Sequence, residues 1–207
     1  MEPIAIIDYG AGNLRSVQKA FHHLGHPAEL VTDPDALEGA AAVVFPGQGA
    51  APQAMRNLAA GGMDKAILRA VESGKPFFGV CLGLQLLLRH SEEEDTPCLG
   101  VVPGATRRLP AGLKLPHIGW NGVRPRRPHP LFEGVDGGAH FYFVHSYYGA
   151  PSDPDWTLAT TEYGVDFPSV LAKGNVVATQ FHPEKSGPDG LRLYDNFVKR
   201  FVLNGGG

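Results

Sequence analysis

Pro76-Phe77-Phe78-Gly79-Val80-Cys81-Leu82-Gly83-Leu84-Gln85 is the stretch from which the architecture of this 207-residue chain can be read. The apolar run after Pro76 has the length of a buried strand, and Leu82 to Leu88 is an apolar helical segment, so Cys81 falls at the turn between them. Gly79 and Gly83 stand two positions before and after it. This G-x-nucleophile-x-G spacing belongs to a sharp strand-to-helix turn that leaves no room for neighbouring side chains and lifts one reactive atom over a sheet edge. The atom here is sulfur, expected to be exposed.

Toward the N-terminus, Ala41 to Phe45 predicts a strand that delivers Pro46-Gly47-Gln48-Gly49, and Ala28 to Val31 predicts another. Ile4 to Asp8 predicts a first strand entering the Gly-rich turn Tyr9-Gly10-Ala11-Gly12-Asn13. Leu14, Val17, Ala20, Phe21 and Leu24 recur at helical spacing, with Asn13 as N-cap and Gly25 as stop. Helices are also expected near Pro52 to Ala59 and Asp64 to Glu72. The first turn is not a dinucleotide fingerprint, because Arg15 occupies the third glycine position of G-x-G-x-x-G. Strands alternating with helices through residue 90 predict βαβ units, hence a mostly parallel central sheet with helices on both faces and ligands at the strands' carboxyl ends. Asp8, Gly47 and Cys81 all lie just beyond such ends.

After Leu99 the pattern turns β-rich, with short pieces at Leu99 to Val102, Lys114 to Ile118, His140 to His145, Thr157 to Thr161 and Ser169 to Lys173, expected to pair partly antiparallel. Val176 to Phe181 is a further strand that delivers His182-Pro183-Glu184-Lys185-Ser186. A last helix carries Leu191, Tyr194, Phe197, Val198, Phe201 and Val202 on one face, with Pro188 in its first turn, Asn204-Gly205 as stop and a frayed Gly205 to Gly207 tail. No repeat or long linker divides the chain, so one domain is expected over residues 1–207. The formal net charge of −3 provides no basic field, which argues against nucleic acid. No apolar run is long enough for a membrane span. Two cysteines and no signal-like segment suggest a reducing, cytoplasmic setting and a free thiol.

A thiol at a helix N-terminus is favoured as thiolate, and it still needs a base. His182, at the end of a second strand, reaches the same sheet edge, and Glu184 two residues on is expected to lie beside the imidazole because side chains at i and i+2 of an extended segment share a side. Cys81, His182 and Glu184 then make a nucleophile, base and acid. A zinc site from the same three residues lacks a fourth soft ligand, so no metal or other cofactor is expected.

Taken in order, Pro46-Gly47-Gln48-Gly49, Gly79 to Gln85 and His182-Pro183-Glu184 resemble the class I glutamine amidotransferases, which have a flavodoxin-like α/β fold. Ile7 to Leu14, Pro116-His117-Ile118-Gly119-Trp120-Asn121, His140 to Tyr147 and Gln180 to Ser186 narrow the resemblance to the glutaminase subunits of imidazole glycerol phosphate synthases, over nearly the whole chain. The resemblance implies that Cys81 attacks the side-chain carbonyl of L-glutamine, that His182 moves the protons and that Glu184 orients His182. It further implies oxyanion donors at Leu82 and at Gln48 or Gly49, substrate contacts from Gln85, Ser146 and Tyr147, and a heterodimer with a cyclase subunit, a (β/α)8 barrel, met by Asn13, Trp120, Tyr142 and Lys185. The family more often has Val where Gln48 stands. Glutaminases serving anthranilate, guanylate or pyridoxal phosphate synthesis, and a nonenzymatic partner subunit, are the competing assignments; the Trp120 and His140 segments disfavour the former and His182-x-Glu184 the latter. Glu92 to Asp95 reads as a solvated loop, Arg124 to Pro128 as a stiff exposed connection, and His22, His23 and His26 as a helix-end cluster.

Overall fold

The computed structural model describes residues 2–10 and 12–203. The expected Asn204-Gly205 stop, the glycine tail and Ala11 of the first turn lie outside the described residues. In chain order the elements are β1 (Ile4–Ile7), α1 (Leu14–His23), β2 (Ala28–Val31), α2 (Ala36–Gly39), β3 (Ala42–Gly47), α3 (Ala51–Gly61), α4 (Met63–Glu72), β4 (Phe77–Cys81), α5 (Leu82–Leu87) and β5 (Leu88–Ser91). There follow β6 (Thr96–Pro97), β7 (Val102–Arg108), β8 (His117–Gly122), β9 (Arg124–Pro125), β10 (His140–His145), β11 (Tyr147–Pro151), β12 (Thr157–Glu162), β13 (Asp166–Lys173), β14 (Val176–Thr179) and α6 (Gly187–Phe197), which runs into a π-helical turn at Val198–Leu203.

An eight-stranded sheet runs in the order β2-β1-β3-β4-β14-β13-β12-β9. Its first five strands are mutually parallel, and β13, β12 and β9 pair antiparallel. Alternation along a strand sends successive residues to opposite layers, and here both layers are apolar. Ile4 and Ile6 of β1 join Val17 and Phe21 of α1 and Tyr194 and Phe197 of α6, whereas Ala5 and Ile7 join Leu58 of α3 and Ile67 of α4. The aromatic packing of Phe78 against Tyr194 and Phe197, with ring centroids 5.3 and 5.1 Å apart, seals the first layer. The expected parallel sheet with helices on both faces is what these residues build.

The β-rich half adds two smaller sheets, β11-β7-β5-β6 and the ribbon β10-β8. Several boundaries differ from the sequence reading. Leu88 opens β5 instead of ending α5, and Leu99 to Val102 is mostly a connection. Leu99 and Val101 pack on the helical layer, and Gly100 turns the backbone at φ 74°, so pairing begins only at Val102. β14 stops at Thr179, and β8 begins at His117. β5, β6, β9 and β11 have no separate sequence signal because they are short or follow directly on another element. Asn13 stands at the N-cap position of α1 but in the left-handed region, φ 63°, and its Oδ1 accepts from Ser16 Oγ at 2.5 Å instead of capping a backbone N–H. Arg124-Pro125 is the sheet's edge strand and not a free connection; Arg124 pairs with Asp166, and Arg127 donates to the carbonyls of Asp155 and Thr157. In the helix-end cluster, His26 pairs with Asp195 at 3.1 Å and His22 bonds Ala28 O, which ties α1 to α6 and β2.

Candidate active site

β3 and β4 run side by side in parallel with Gly47 opposite Cys81, so the Gly47-Gln48-Gly49 loop leaves the sheet next to the elbow. Cys81 is both the last residue of β4 and the residue capping α5, with φ 53° and ψ −108°. A non-glycine residue holds such a backbone only at a cost of order 1–3 kcal/mol, which surrounding packing must offset. That packing is visible at the flanking glycines. A Cβ on Gly83 would sit 1.8 Å from Phe45 O, and one on Gly79 would meet Ala178 Cβ at 3.1 Å and Gly83 C at 3.3 Å. The two bare positions let α5 lie directly on β3 and β4 and hold Leu82 at the first helical position.

The sulfur is not exposed as the sequence suggested; Cys81 is buried, at the base of a cavity of about 410 Å³. β10, β11 and the turn after β14 rise around it, which the elbow motif by itself does not encode. Gln48, Gly49, Leu82, Gln85, Ser146, Tyr147, Tyr142, His182 and Lys185 all line this cavity. Ser146 is the single residue by which the chain passes from the β10 ribbon to β11 in the other sheet. A larger surface cavity, about 850 Å³, runs along Arg124 to Gly137 and contains neither thiol nor a paired acid and base.

His182 is held from several sides. Its N–H donates to Tyr142 O at 3.0 Å, and the buried Ser186 hydroxyl donates to His182 O at 2.6 Å while accepting the Tyr142 N–H at 3.0 Å. Its Nδ1 meets Glu184 Oε1 at 2.8 Å, and Glu184 Oε2 accepts from the Tyr194 hydroxyl at 3.3 Å. The reason differs from the one read from sequence: Pro183–Lys185 is a 3-10 turn and not an extended segment, and the turn folds the carboxylate back under the ring. With Nδ1 committed, Nε2 is buried and has no hydrogen-bond partner among the described residues. Burial disfavours a charge on His182, but the neighbouring Cys81 thiolate and the Glu184 carboxylate outweigh it and hold the imidazole pKa up at about 10.

On the opposite wall Gln85 donates both amide hydrogens, to Tyr147 O at 2.8 Å and to Gln180 Oε1 at 3.2 Å, which leaves its carbonyl oxygen for a ligand's cation. Glu93 also lines the cavity. The sequence places it in a solvated acidic loop, yet its Oε2 accepts the Ala51 N–H at the start of α3 at 2.7 Å, where a helix terminus favours an anion. The cavity thus carries an acceptor pair at Gln85 and Glu93, which suits a ligand's ammonium group.

The model of the family described as glutamine amidotransferase class-I matches residues 5–201. The chain is 50% identical over 197 residues to the imidazole glycerol phosphate synthase subunit HisH of Dehalococcoides mccartyi strain ATCC BAA-2266, covering 95% of this chain and 96% of that one. It is 51% identical over 198 residues to the subunit of the same name from Moorella thermoacetica, covering 95% and 94%. The chain belongs to the class I glutamine amidotransferases, in the HisH family. A solved structure described as a glutamine amidotransferase superposes with TM-score 0.75 at 25% identity, covering 95% of this chain and 97% of that one.

In this amidotransferase two of the expected interface residues, Tyr142 and Lys185, line the cavity, and Trp120 packs on Tyr142. Lys185 Nζ lies 5.8 Å from the centroid of the Tyr142 ring, and Tyr142 stands opposite Trp120 in the ribbon, with ring centroids 6.3 Å apart. Trp120 is 57% exposed and Ile118, on the same face of β8, 60% exposed. Asn13 is exposed at the start of α1. Sequence reasoning missed Glu93 in the lining of this amidotransferase pocket, and Ser186, Tyr194 and Gln180 as the residues that hold His182, Glu184 and Gln85. Only Gln180 and Ser186 carried a signal, as members of the motif around His182.

Proposed function

We propose that this chain is the glutaminase subunit of an imidazole glycerol phosphate synthase, working in the cytoplasm, in which Cys81, His182 and Glu184 hydrolyse L-glutamine. The observation that carries the reading is the convergence of the strained Cys81, the His182–Glu184 pair and the Gly47-Gln48-Gly49 loop at one cavity sized for an amino acid. Glutamine binds with its ammonium toward Gln85 Oε1 and Glu93 and its carboxylate toward Ser146 and Tyr147. The Cys81 thiolate attacks the side-chain carbonyl carbon, and the oxygen takes up negative charge beside the backbone N–H groups of Leu82 and of Gln48 or Gly49. His182 gives its Nε2 proton to the departing amide nitrogen, which leaves as ammonia, and a thioester remains. Nε2 then takes a proton from water, the hydroxide adds to the thioester, and the thiolate departs as glutamate forms. Glu184 keeps the proton on Nδ1 and the ring in register throughout.

Ammonia set free beside bulk water is lost, so the chain needs a receiving subunit at the cavity mouth. We assign that role to a cyclase, a (β/α)8 barrel that uses ammonia to make imidazole glycerol phosphate and AICAR from PRFAR, docked on Asn13, Trp120, Tyr142 and Lys185. Turnover of labelled glutamine, measured for the chain alone and with the cyclase subunit and its ligand, tests the reading. Low turnover alone, a large rise in the complex and none in Cys81→Ala are expected. Full activity of Cys81→Ala, or no binding to any cyclase barrel, would sink it.

A further inference from the structure

A line of hydrogen bonds runs from β8 to the nucleophile, and two backbone groups of fixed polarity, the Gly122 N–H and the Tyr147 carbonyl, set its direction. The Gly122 N–H donates to Asn121 Oδ1 at 2.8 Å, so the Asn121 amide nitrogen faces the other way, donating to Glu162 O at 2.9 Å and lying 3.3 Å from His117 Nε2. His117 Nε2 then accepts, and its proton sits on Nδ1, 2.9 Å from His145 Nε2. His145 must in turn carry its proton on Nδ1, which donates to Tyr147 O at 2.8 Å. That carbonyl can only accept, so Gln85 presents its nitrogen to it, at 2.8 Å, and the second N–H of the same group reaches Gln180 Oε1 at 3.2 Å. Gln180 is thereby turned with Nε2 toward Cys81 Sγ, at 3.7 Å. The opposite rotamer of its amide would oppose two NH₂ groups and set an oxygen against the thiolate.

His117 and His145 are directly opposite each other across the β8–β10 ribbon and are 3% and 4% exposed, and Gln180 is fully buried. His117 is stacked on Tyr163, centroids 3.9 Å apart, and on Phe143, 4.9 Å apart. Burial lowers the pKa of both; for His145, burial outweighs the hydrogen bond to the Tyr147 carbonyl and is reinforced by the neighbouring His117 and His182 rings, which disfavour a further proton, and the value falls to about 3. Two histidines at one cavity thus hold opposite states, His182 charged for proton transfer and His145 neutral as a fixed hydrogen-bonding group.

We propose that Gln180 donates a hydrogen bond that stabilises the Cys81 thiolate, and that the neutral His117–His145 pair, by holding in place the Tyr147 carbonyl on which Gln85 is fixed, positions the Gln180 amide for that role. This rests on the thiolate assigned to Cys81 under the proposed function and adds to it a hydrogen-bond donor at the sulfur. A thiolate buried away from water needs such donors, since charge-assisted hydrogen bonds are roughly twice as strong as neutral ones.

The test is the pH profile of Cys81 alkylation by iodoacetamide in the full chain, followed by peptide mass spectrometry so that Cys98 is counted separately. Gln180→Met keeps the volume and removes the donor; its alkylation limb moves up by about one pH unit, with a rate near neutral pH roughly tenfold lower. His117→Leu, remote from the sulfur, moves the limb in the same direction by less. A purely structural role would lower the melting temperature of either variant and leave the profile in place, and an unmoved profile in folded Gln180→Met overturns the proposal. Should Gln180→Met not fold, His117→Leu decides alone, a moved limb supporting the relay and an unmoved one overturning it. Alkylation needs neither glutamine nor a cyclase, so a failed turnover assay and a failed relay are told apart.

Discussion

Adding one methyl group at Gly83 tests whether the elbow's geometry, and not only its thiol, makes the site. The Cβ of Gly83→Ala would lie 1.8 Å from Phe45 O and 2.9 Å from Phe45 C, about 1.6 Å inside an ordinary 3.4 Å contact. The obstacle is backbone in the middle of β3, which is fully buried, so no side-chain rotation relieves it. α5 must lift from the sheet by something near that distance, taking Leu82 and Cys81 with it. Overpacking of this kind costs roughly 1–3 kcal/mol, which in a domain of this size lowers the melting temperature by about 2–4 °C per kcal/mol. The catalytic loss should be larger in proportion, because a misplacement of about 1 Å between nucleophile and oxyanion donors can cost ~10²-fold. Differential scanning calorimetry and glutamine turnover in the cyclase complex read the two effects separately. A folded Gly83→Ala with wild-type kcat/KM would refute the claim that close packing of α5 on β3 places the nucleophile.

Three further outcomes follow from the same geometry. Glu184→Gln should lower kcat by roughly 10²–10⁴-fold with little change in KM, since it removes the carboxylate that orients His182 and supports its charge; an unchanged kcat removes Glu184 from the mechanism. His145, whose pKa falls from 6.5 unfolded to about 3 folded, contributes stability that is complete above pH 6.5 and is lost as pH falls toward 3; His182, raised to about 10, contributes stability that is complete below 6.5 and is lost as pH rises toward 10. Thermal melts against pH should therefore peak near 6.5, and His145→Gln should flatten the acid limb. Lys185→Glu should weaken the cyclase complex by about tenfold or more while leaving the chain folded, as measured by titration calorimetry; unchanged affinity would remove Lys185 from the interface.

The central sheet was legible because its strands are buried on both faces and so read as unbroken apolar runs, Ile4 to Ile7 and Phe77 to Cys81 among them. The elbow was legible because close packing demands glycine at 83 and leaves little room for a side chain at 79. Short edge pieces such as Arg124-Pro125 were not, since a two-residue strand has no period to detect. Glu93 read as solvated because its partner, the Ala51 N–H, lies 42 residues away in sequence.

By itself the amino-acid order determined that a thiol stands at a strand-to-helix turn, that a histidine and a glutamate follow a second strand, and that a Pro-Gly-x-Gly loop ends a third. These are local properties, carried by periodicity and by residues with special backbone demands. Only the tertiary structure decided that the sulfur is buried, that Glu184 reaches His182 through a 3-10 turn, and that His145 stays neutral beside a charged His182. Those outcomes depend on desolvation and on hydrogen bonds between residues tens of positions apart, and neither quantity exists until the β10 ribbon closes over the elbow.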